Sequence, residues 1–264
     1  MLGKSEGIVL RTIDYGEGNK ILTILTKELG KIGVMAQGAR KTKSRFSALS
    51  QPFIYAYFMF HSGSGLATLS QGEIINSFPS IRGDLYQTAN AAYILELTDR
   101  LLEERKRSKL MYDLLLQSLC YMNEGKDYEV VARIFEVKVL NLFGYKPVFD
   151  VCSNCRKGHA PWFFSAREGG ILCSGCRTKD PYAFLLGEGL PRLLHLFQTM
   201  DMGQLGTISL KESTKEQLKK AMDSFMDEHL GIHLKSRQFL QQLEKMEQII
   251  PRKANVTDTK EEDI

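Results

Sequence analysis

A change in hydrophobic pattern near Pro79 divides this chain of 264 residues into two unlike parts. Before Pro79, short segments rich in Ile, Val, Leu, Thr and aromatic residues predict β-strands. After it, apolar residues recur at the three- and four-residue spacing of amphipathic helices. An all-β or all-helical architecture is therefore excluded, and the sequence predicts an α+β protein with two domains.

Five strands are predicted in residues 1–80, and turns rich in Gly, Asp and Ser separate most of them. The predicted strands are Glu6–Ile13, Asn19–Thr26, Lys31–Gly38, Phe53–His61 and Leu66–Ile75. Five short strands in so short a segment are typical of a small β-barrel, of which the OB-fold is the five-stranded example. An SH3-like barrel would give a similar pattern, so periodicity alone does not separate the two.

Helices are predicted over most of residues 81–250, which we assign to a second domain. The predicted helices are Leu85–Glu104, Leu110–Met122, Tyr128–Phe143, Leu190–Met202, Glu216–Leu230 and Ser236–Ile250. Ser213 and Glu216 have the spacing of a capping box at the start of the fifth helix. The polar residues 251–264 are predicted to form a disordered tail.

Four of the five cysteines form two Cys-x2-Cys pairs in residues 151–186, a segment that interrupts the helical domain. They are Cys152, Cys155, Cys173 and Cys176. This spacing predicts a structural zinc site with four thiolate ligands, one ion per chain. A four-cysteine iron site and two disulfides are the alternatives, and a reducing cytosol disfavours the disulfides. Four thiolates leave no open coordination position, so we expect the zinc to stabilise the fold and not to catalyse a reaction.

Positive charge is concentrated at the start of the chain. The formal net charge is +4, yet residues 1–50 alone contain nine Lys and Arg against four acids. Four of these bases lie in the loop Arg40–Arg45 after the third predicted strand. A basic loop between barrel strands favours contact with nucleic acid, although an ordinary solvated surface is the alternative. The aromatic residues Phe53, Tyr55, Tyr57 and Phe60 would either stack on bases or fill the barrel.

Catalytic and membrane signatures are missing from the sequence. The glycines in residues 33–40 lack the Gly-Lys-Ser/Thr ending of a P-loop, and no His is followed two residues later by Glu as in zinc deaminases. The longest apolar run, Phe53–Phe60, is too short to span a bilayer, and the N-terminus lacks the apolar segment of a signal peptide. We therefore expect a cytoplasmic protein that is not an enzyme.

The ordered combination of a basic barrel, a helical domain and a four-cysteine insert resembles the RecO family of bacterial DNA repair proteins. The segments that carry this resemblance are Glu6–Leu10, Tyr15–Glu17, Gly38–Arg45, Phe143–Pro147 and Leu234–Arg237. The resemblance implies an N-terminal OB-fold and a recombination mediator of the RecF pathway. Such a protein binds single- and double-stranded DNA, anneals complementary strands and helps to load RecA onto DNA coated by single-stranded DNA-binding protein. The residues expected to contact DNA are Arg11, Lys20, Arg40, Lys41, Lys43 and Arg45.

The resemblance also implies protein partners and a location at the nucleoid. The expected partners are RecR, the acidic C-terminal tail of the single-stranded DNA-binding protein and, indirectly, RecA. We hypothesise that this tail binds the predicted helix 216–230, whose apolar stripe and neighbouring lysines would form a groove; ordinary core packing is the alternative. The stripe comprises Leu218, Met222, Phe225 and Met226, and the lysines are Lys211, Lys215, Lys219 and Lys220. A zinc-ribbon transcription or translation accessory factor and a zinc enzyme are the alternative functions.

Overall fold

The computed structural model describes residues 2–61, 66–206 and 208–249. It confirms the predicted α+β class, because a closed five-stranded barrel is followed by helices and by a small sheet near the cysteines. The predicted disordered tail, residues 251–264, lies outside the described residues. Among the described helices, none is long and apolar enough to cross a membrane.

The barrel has the strand arrangement of an OB-fold. Its strands are β1 (Leu2–Tyr15), β2 (Asn19–Thr26), β3 (Gly30–Ala36), β4 (Tyr55–His61) and β5 (Ala67–Asn76). The order around the barrel is β1-β2-β3-β5-β4, and antiparallel pairing of β1 with β4 closes it. The β3–β5 pair is parallel and the other pairs are antiparallel, as expected of a Greek-key barrel. Strand β1 begins four residues before its predicted start because Leu2–Ser5 pair with the end of β4.

Side chains on the two faces of the barrel strands enter different cores. The inner face contributes Leu22, Ile24, Val34 and Phe58 to a core inside the barrel. Residues on the outer face, and Phe53 just before β4, pack instead into the core of the helical domain. These residues are Ile8, Leu10, Leu25 and Phe53. Of the four aromatic residues considered, Phe60 fills the barrel and Phe53 the core of the helical domain, whereas Tyr55 is half-buried and Tyr57 is exposed.

Seven helices make up most of the described part of the chain after the barrel. They are α1 (Pro79–Gly83), α2 (Leu85–Leu101), α3 (Lys109–Asn123), α4 (Tyr128–Leu142), α5 (Leu190–Thr199), α6 (Glu212–His229) and α7 (Lys235–Ile249). The Asp84 carboxylate caps α2 by accepting the Gln87 N–H, and Ser108 caps α3. The predicted capping box at Ser213 is wrong, because α6 begins at Glu212 and places Ser213 inside its first turn.

The barrel is fixed to the helices by charged and backbone contacts at one end of β3. The Lys31 ammonium lies 3.0 Å from an Asp99 carboxylate oxygen, and the Arg11 guanidinium lies 2.7 Å from the other oxygen. The Arg105 N–H donates to the Lys31 carbonyl at 2.8 Å. Gly30 has a φ of +71°, and a Cβ there would overlap the Lys106 carbonyl, so this close approach requires glycine.

The cysteine-containing segment forms a small sheet that the sequence did not reveal. Its strands are β6 (Trp162–Ser165), β7 (Gly170–Cys173) and β8 (Phe184–Leu185), in the order β7-β6-β8. Segments of two to four residues are too short for hydrophobic alternation to be recognised. The sheet packs on α6, where the Phe164 ring centroid lies 6.4 Å from that of Phe225.

Candidate metal centre and nucleic-acid interface

The four predicted cysteines converge on one point. Their Sγ atoms all lie within 4.8 Å of one another, and those of Cys155 and Cys173 are 3.8 Å apart. A tetrahedral site with metal–sulfur bonds of about 2.3 Å requires sulfurs roughly 3.8 Å apart. Cys155 lies at the surface, whereas Cys152, Cys173 and Cys176 are buried. The cluster therefore fits a metal ion, as its spacing predicted.

Short turns hold the thiols in this arrangement. Burial disfavours the Cys152 thiolate, but the backbone N–H groups of Cys155, Cys173 and Asn154 outweigh this effect and lower the pKa of Cys152 to about 6. A thiol with a lowered pKa is prepared to ligate a metal as thiolate. Gly158 has a φ of +98°, and a Cβ there would lie 2.5 Å from Cys173 Cβ. A larger residue would therefore push the two cysteine turns apart.

The predicted basic loop lies against the turn between β1 and β2. The Arg40 N–H donates to the Gly18 carbonyl at 3.1 Å, and its guanidinium donates to the Gly16 carbonyl at 3.2 Å. The same guanidinium pairs with Asp14 at 3.3 Å. Residues 14–20 and 37–45 therefore form one surface at one end of the barrel, which we call the barrel rim.

Four of the six predicted DNA-binding bases belong to the loop of this barrel rim, and Lys20 is half-buried at its edge on β2. Lys41 and Lys43 are exposed and, among the described residues, form no ion pair with an acid. With Arg45 they line a shallow pocket of about 420 Å³. The Arg45 guanidinium lies 4.7 Å from the centroid of the Phe46 ring, which positions its charge.

Arg11 occupies a different place from the other predicted bases. Its ion pair with Asp99 places it where the barrel meets α2. The structure does not bring Arg11 to the barrel rim, and a role for it in DNA binding stays a prediction.

Tyr15 is a candidate binding residue that sequence reasoning missed. It is the last residue of β1, lies on the barrel rim beside Gly16 and is 51% exposed. Tyr57 is also 38% exposed, but its hydroxyl donates to Glu6 at 2.9 Å and the Lys4 ammonium lies over its ring. A tyrosine at a strand end gives no signal of its own, because only the fold shows that it borders the basic loop.

A cleft of about 880 Å³ beside the helix at 216–230 is lined by residues that include Lys215, Leu218, Lys219 and Lys220. The helix contributes little apolar surface to it. All four residues of its apolar stripe are buried in the core of the helical domain. Lys215 lies 2.7 Å from Asp127 and 2.8 Å from Glu129, and Lys219 lies 2.7 Å from Glu244. Core packing therefore explains the apolar stripe, and binding of the acidic tail beside this helix stays a prediction.

Two family models match the chain. The Recombination protein O N terminal model matches residues 1–78, and the Recombination protein O C terminal model matches residues 82–238. The chain belongs to the RecO family. The DNA repair protein RecO of Bacillus pumilus is 48% identical over 250 residues, which cover 95% of this chain and 98% of that protein. RecO of Halalkalibacterium halodurans is 49% identical over 246 residues, which cover 93% and 97%.

Membership of the RecO family supports a function in DNA repair and recombination. The barrel rim lies in the part matched by the RecO N-terminal model, and the cysteine cluster lies in the part matched by the C-terminal model. The RecO resemblance inferred from the sequence is thereby confirmed.

Proposed function

We propose that this member of the RecO family is a recombination mediator of the RecF pathway that binds single- and double-stranded DNA at the barrel rim. The observation that carries the proposal is the contact of Arg40 with the β1–β2 turn, which leaves Lys41 and Lys43 exposed beside it. Annealing of complementary strands requires only that two phosphate backbones are neutralised and held close. Covalent catalysis is not part of this function, so the protein acts without being an enzyme.

At the barrel rim, bases would contact phosphates and Tyr15 would stack on a nucleotide base. The phosphate ligands that we propose are Lys20, Arg40, Lys41, Lys43 and Arg45, with Arg11 farther along β1. Contacts to phosphates are independent of sequence, and stacking on an aromatic ring tolerates every base. Such a surface suits a protein that must act on any damaged DNA.

We propose that the cysteine cluster holds one structural zinc ion. Thiolates are soft ligands that select zinc or iron over hard cations. Four of them fill a tetrahedral shell, so the ion would join the cysteine turns and leave no position for a substrate.

Family membership also supports the wider role of the protein and its division into domains. We propose RecR and the acidic tail of the single-stranded DNA-binding protein as its partners, and loading of RecA onto coated DNA as the result. Residues 1–80 would be the DNA-binding domain, and residues 81–250 with the zinc module at 151–186 would be the second domain. Binding to chromosomal DNA would place the protein in the cytoplasm at the nucleoid.

A salt-titrated binding measurement tests the proposal. Four phosphate contacts correspond to a slope of about −2.8 in log K against log salt concentration for single-stranded DNA. Replacing Arg40, Lys41, Lys43 and Arg45 with alanine should remove this part of the slope, which equals roughly 50-fold in affinity between 50 and 200 mM salt. Fluorescence anisotropy of a labelled oligonucleotide measures both quantities.

A double variant of exposed bases on the helical domain, Arg192→Ala with Lys211→Ala, is the matched control and should keep the parental slope. Strand annealing, followed without ATP with two complementary labelled strands, should slow in the barrel rim variant and not in the control. A barrel rim variant that binds and anneals like the parent would contradict the proposal.

A further inference from the structure

The metal module, residues 151–186, carries a second basic surface that the proposed function of the barrel does not use. Bases directly follow each of the two Cys-x2-Cys turns. These bases are Arg156, Lys157, Arg177 and Lys179. Together with Tyr182 we call them the knuckle surface.

Convergence of the cysteines brings the two basic segments together. The Asn154 side-chain amide donates to Cys176 Sγ at 3.2 Å, which joins the first turn to the second. Gly158 packs directly on Cys173, the residue immediately before the 3-10 turn Ser174–Lys179. Bases separated by about twenty positions in sequence are therefore neighbours in space.

The positive charge of the knuckle surface is not balanced by nearby acids. Arg156, Lys157 and Lys179 are exposed and, within the described part of the chain, form no ion pair with a carboxylate. The module contains two acids. Asp180 is buried and accepts hydrogen bonds from Ser165 O–H at 2.6 Å and from a backbone N–H. Glu168 lies in the β6–β7 turn, at the opposite end of that hairpin from Cys173.

An exposed aromatic side chain accompanies these bases. Tyr182 is 90% exposed, while its N–H donates to the Asp180 carboxylate at 2.9 Å and fixes its backbone. The Arg177 guanidinium lies 5.5 Å from the centroid of the Phe163 ring, which holds one positive charge in place. Bases combined with an accessible aromatic ring are the composition of surfaces that bind single-stranded nucleic acid.

We propose that the knuckle surface binds single-stranded DNA, with Arg156, Lys157 and Lys179 on phosphates and Tyr182 stacked on a base. This inference rests on the proposed function and extends it, because it adds a strand-binding surface outside the barrel. The metal module packs on the helices, whereas the barrel rim lies at an end of the barrel. One molecule can then hold two strands at once, as annealing requires.

Charge balance at the metal site is a competing explanation for the presence of these bases. A divalent ion with four thiolates carries a net charge of −2, which nearby bases would offset. If that were their only role, removing them would weaken metal retention and leave DNA binding unchanged. The two explanations therefore predict opposite results for the same variant.

The experiment uses the full-length, zinc-loaded protein and a fluorescein-labelled thymidine oligonucleotide. The variants are the triple change Arg156→Ala, Lys157→Ala and Lys179→Ala, and the single changes Tyr182→Ala and Tyr182→Phe. Arg167→Ala, an exposed base in the β6–β7 turn of the same module, is the matched control. Each is measured for salt-dependent DNA affinity and for zinc content, in the parent and in the barrel rim variant.

We expect the triple variant to keep its zinc and to flatten the salt slope by about 2. Tyr182→Ala should weaken binding roughly 5- to 100-fold with the slope unchanged, and Tyr182→Phe should bind like the parent. Arg167→Ala should retain the parental slope.

A triple variant that loses zinc but keeps the parental slope would overturn this inference in favour of charge balance. A triple variant that keeps both its zinc and the parental slope would also overturn this inference. The knuckle surface would then have an acidic protein as its partner. In both cases a flattened slope in the barrel rim variant leaves the proposed function intact. A parent protein without salt-dependent DNA binding would instead overturn the proposed function itself.

Discussion

Glu136 is a carboxyl group fully buried inside the helical domain. The Tyr93 hydroxyl donates to it at 2.5 Å, and the Arg133 guanidinium lies 3.0 Å away. Burial outweighs the attraction of Arg133 and raises the pKa of Glu136 to about 7. This carboxyl therefore keeps its proton at pH values where an exposed glutamate is already ionised.

This raised pKa makes the stability of the helical domain depend on pH. Between the ordinary pKa of 4.5 and about 7, the native protein holds a proton that the unfolded chain releases, so stability falls as pH rises. Relative to Glu136→Gln, which cannot titrate, the parent should lose on the order of 3 kcal/mol across this interval. Urea unfolding followed by helical circular dichroism at several pH values checks this, and a constant difference would contradict it.

Gly30 lies where the barrel touches the loop before α3, and its role can be separated from that of an ordinary turn glycine. Gly30→Ala must accept a positive φ and also displace the Lys106 carbonyl. Gly125→Ala must also accept a positive φ, but it displaces no neighbour because a Cβ there would have nothing within 4 Å. We expect a cost of about 1–2 kcal/mol for Gly125→Ala and 1–3 kcal/mol more for Gly30→Ala. Thermal unfolding of both variants measures the difference in stability. Equal losses of stability would show that the loop containing Lys106 moves aside at no cost.

At the scale of elements, helix α7 is docked through its first turn. The Glu96 carboxylate on α2 accepts the N–H groups of Lys235 and Ser236 at 3.1 and 2.8 Å, and the Ser236 hydroxyl at 2.6 Å. These bonds satisfy donors that a helix start otherwise leaves unpaired. A single carboxylate therefore fixes the beginning of the last described helix.

Removing that carboxylate should loosen α7. Glu96→Ala should cost about 1–3 kcal/mol, because it leaves two backbone donors without their acceptor. Limited trypsin digestion should then cleave faster at Lys235 and Arg237. Glu228→Ala, an exposed acid on α6, is the control and should leave cleavage unchanged. Equal cleavage in the two variants would mean that side-chain packing alone docks α7.

The sequence predicted elements and clusters well where the signal is local. Strand β2 is observed with its predicted bounds, and the four cysteines meet as their spacing implied. Contacts between distant segments carry no local signal. Arg11 looked like a free base because Asp99, its partner, lies 88 residues later. Lys215 likewise pairs with acids that only the packing of α6 beside α4 reveals.

At the scale of the whole molecule, a metal ion bound by the four cysteines should stabilise the metal module and leave the barrel folded. Trp162, the single tryptophan of the chain, pairs with Cys173 in the small sheet. Intrinsic tryptophan fluorescence therefore reports on the metal module and on its contact with the helical domain. Chelation, or Cys155→Ser, should change this fluorescence because metal binding is coupled to local folding.

The barrel has its own closed hydrogen-bonded ring, so its circular dichroism and the barrel rim's share of the DNA salt slope should persist after chelation. Cys120→Ser, a cysteine outside the cluster, is the control for thiol loss. Unchanged fluorescence in a metal-free protein would contradict a structural role for the ion.

The outward face of the barrel has a consequence for domain shuffling. Ile8, Leu10, Leu25 and Phe53 belong to the core of the helical domain although they lie on or beside barrel strands. An OB-fold transplanted from an unrelated protein would present polar residues there and would leave Asp99 facing no cation. Replacing this barrel with another would therefore require matched substitutions on the outer face of the new barrel and on the helices that pack against it. Substitutions at this contact must therefore occur in both domains together, even though the hydrophobic pattern of the sequence separates the two domains clearly.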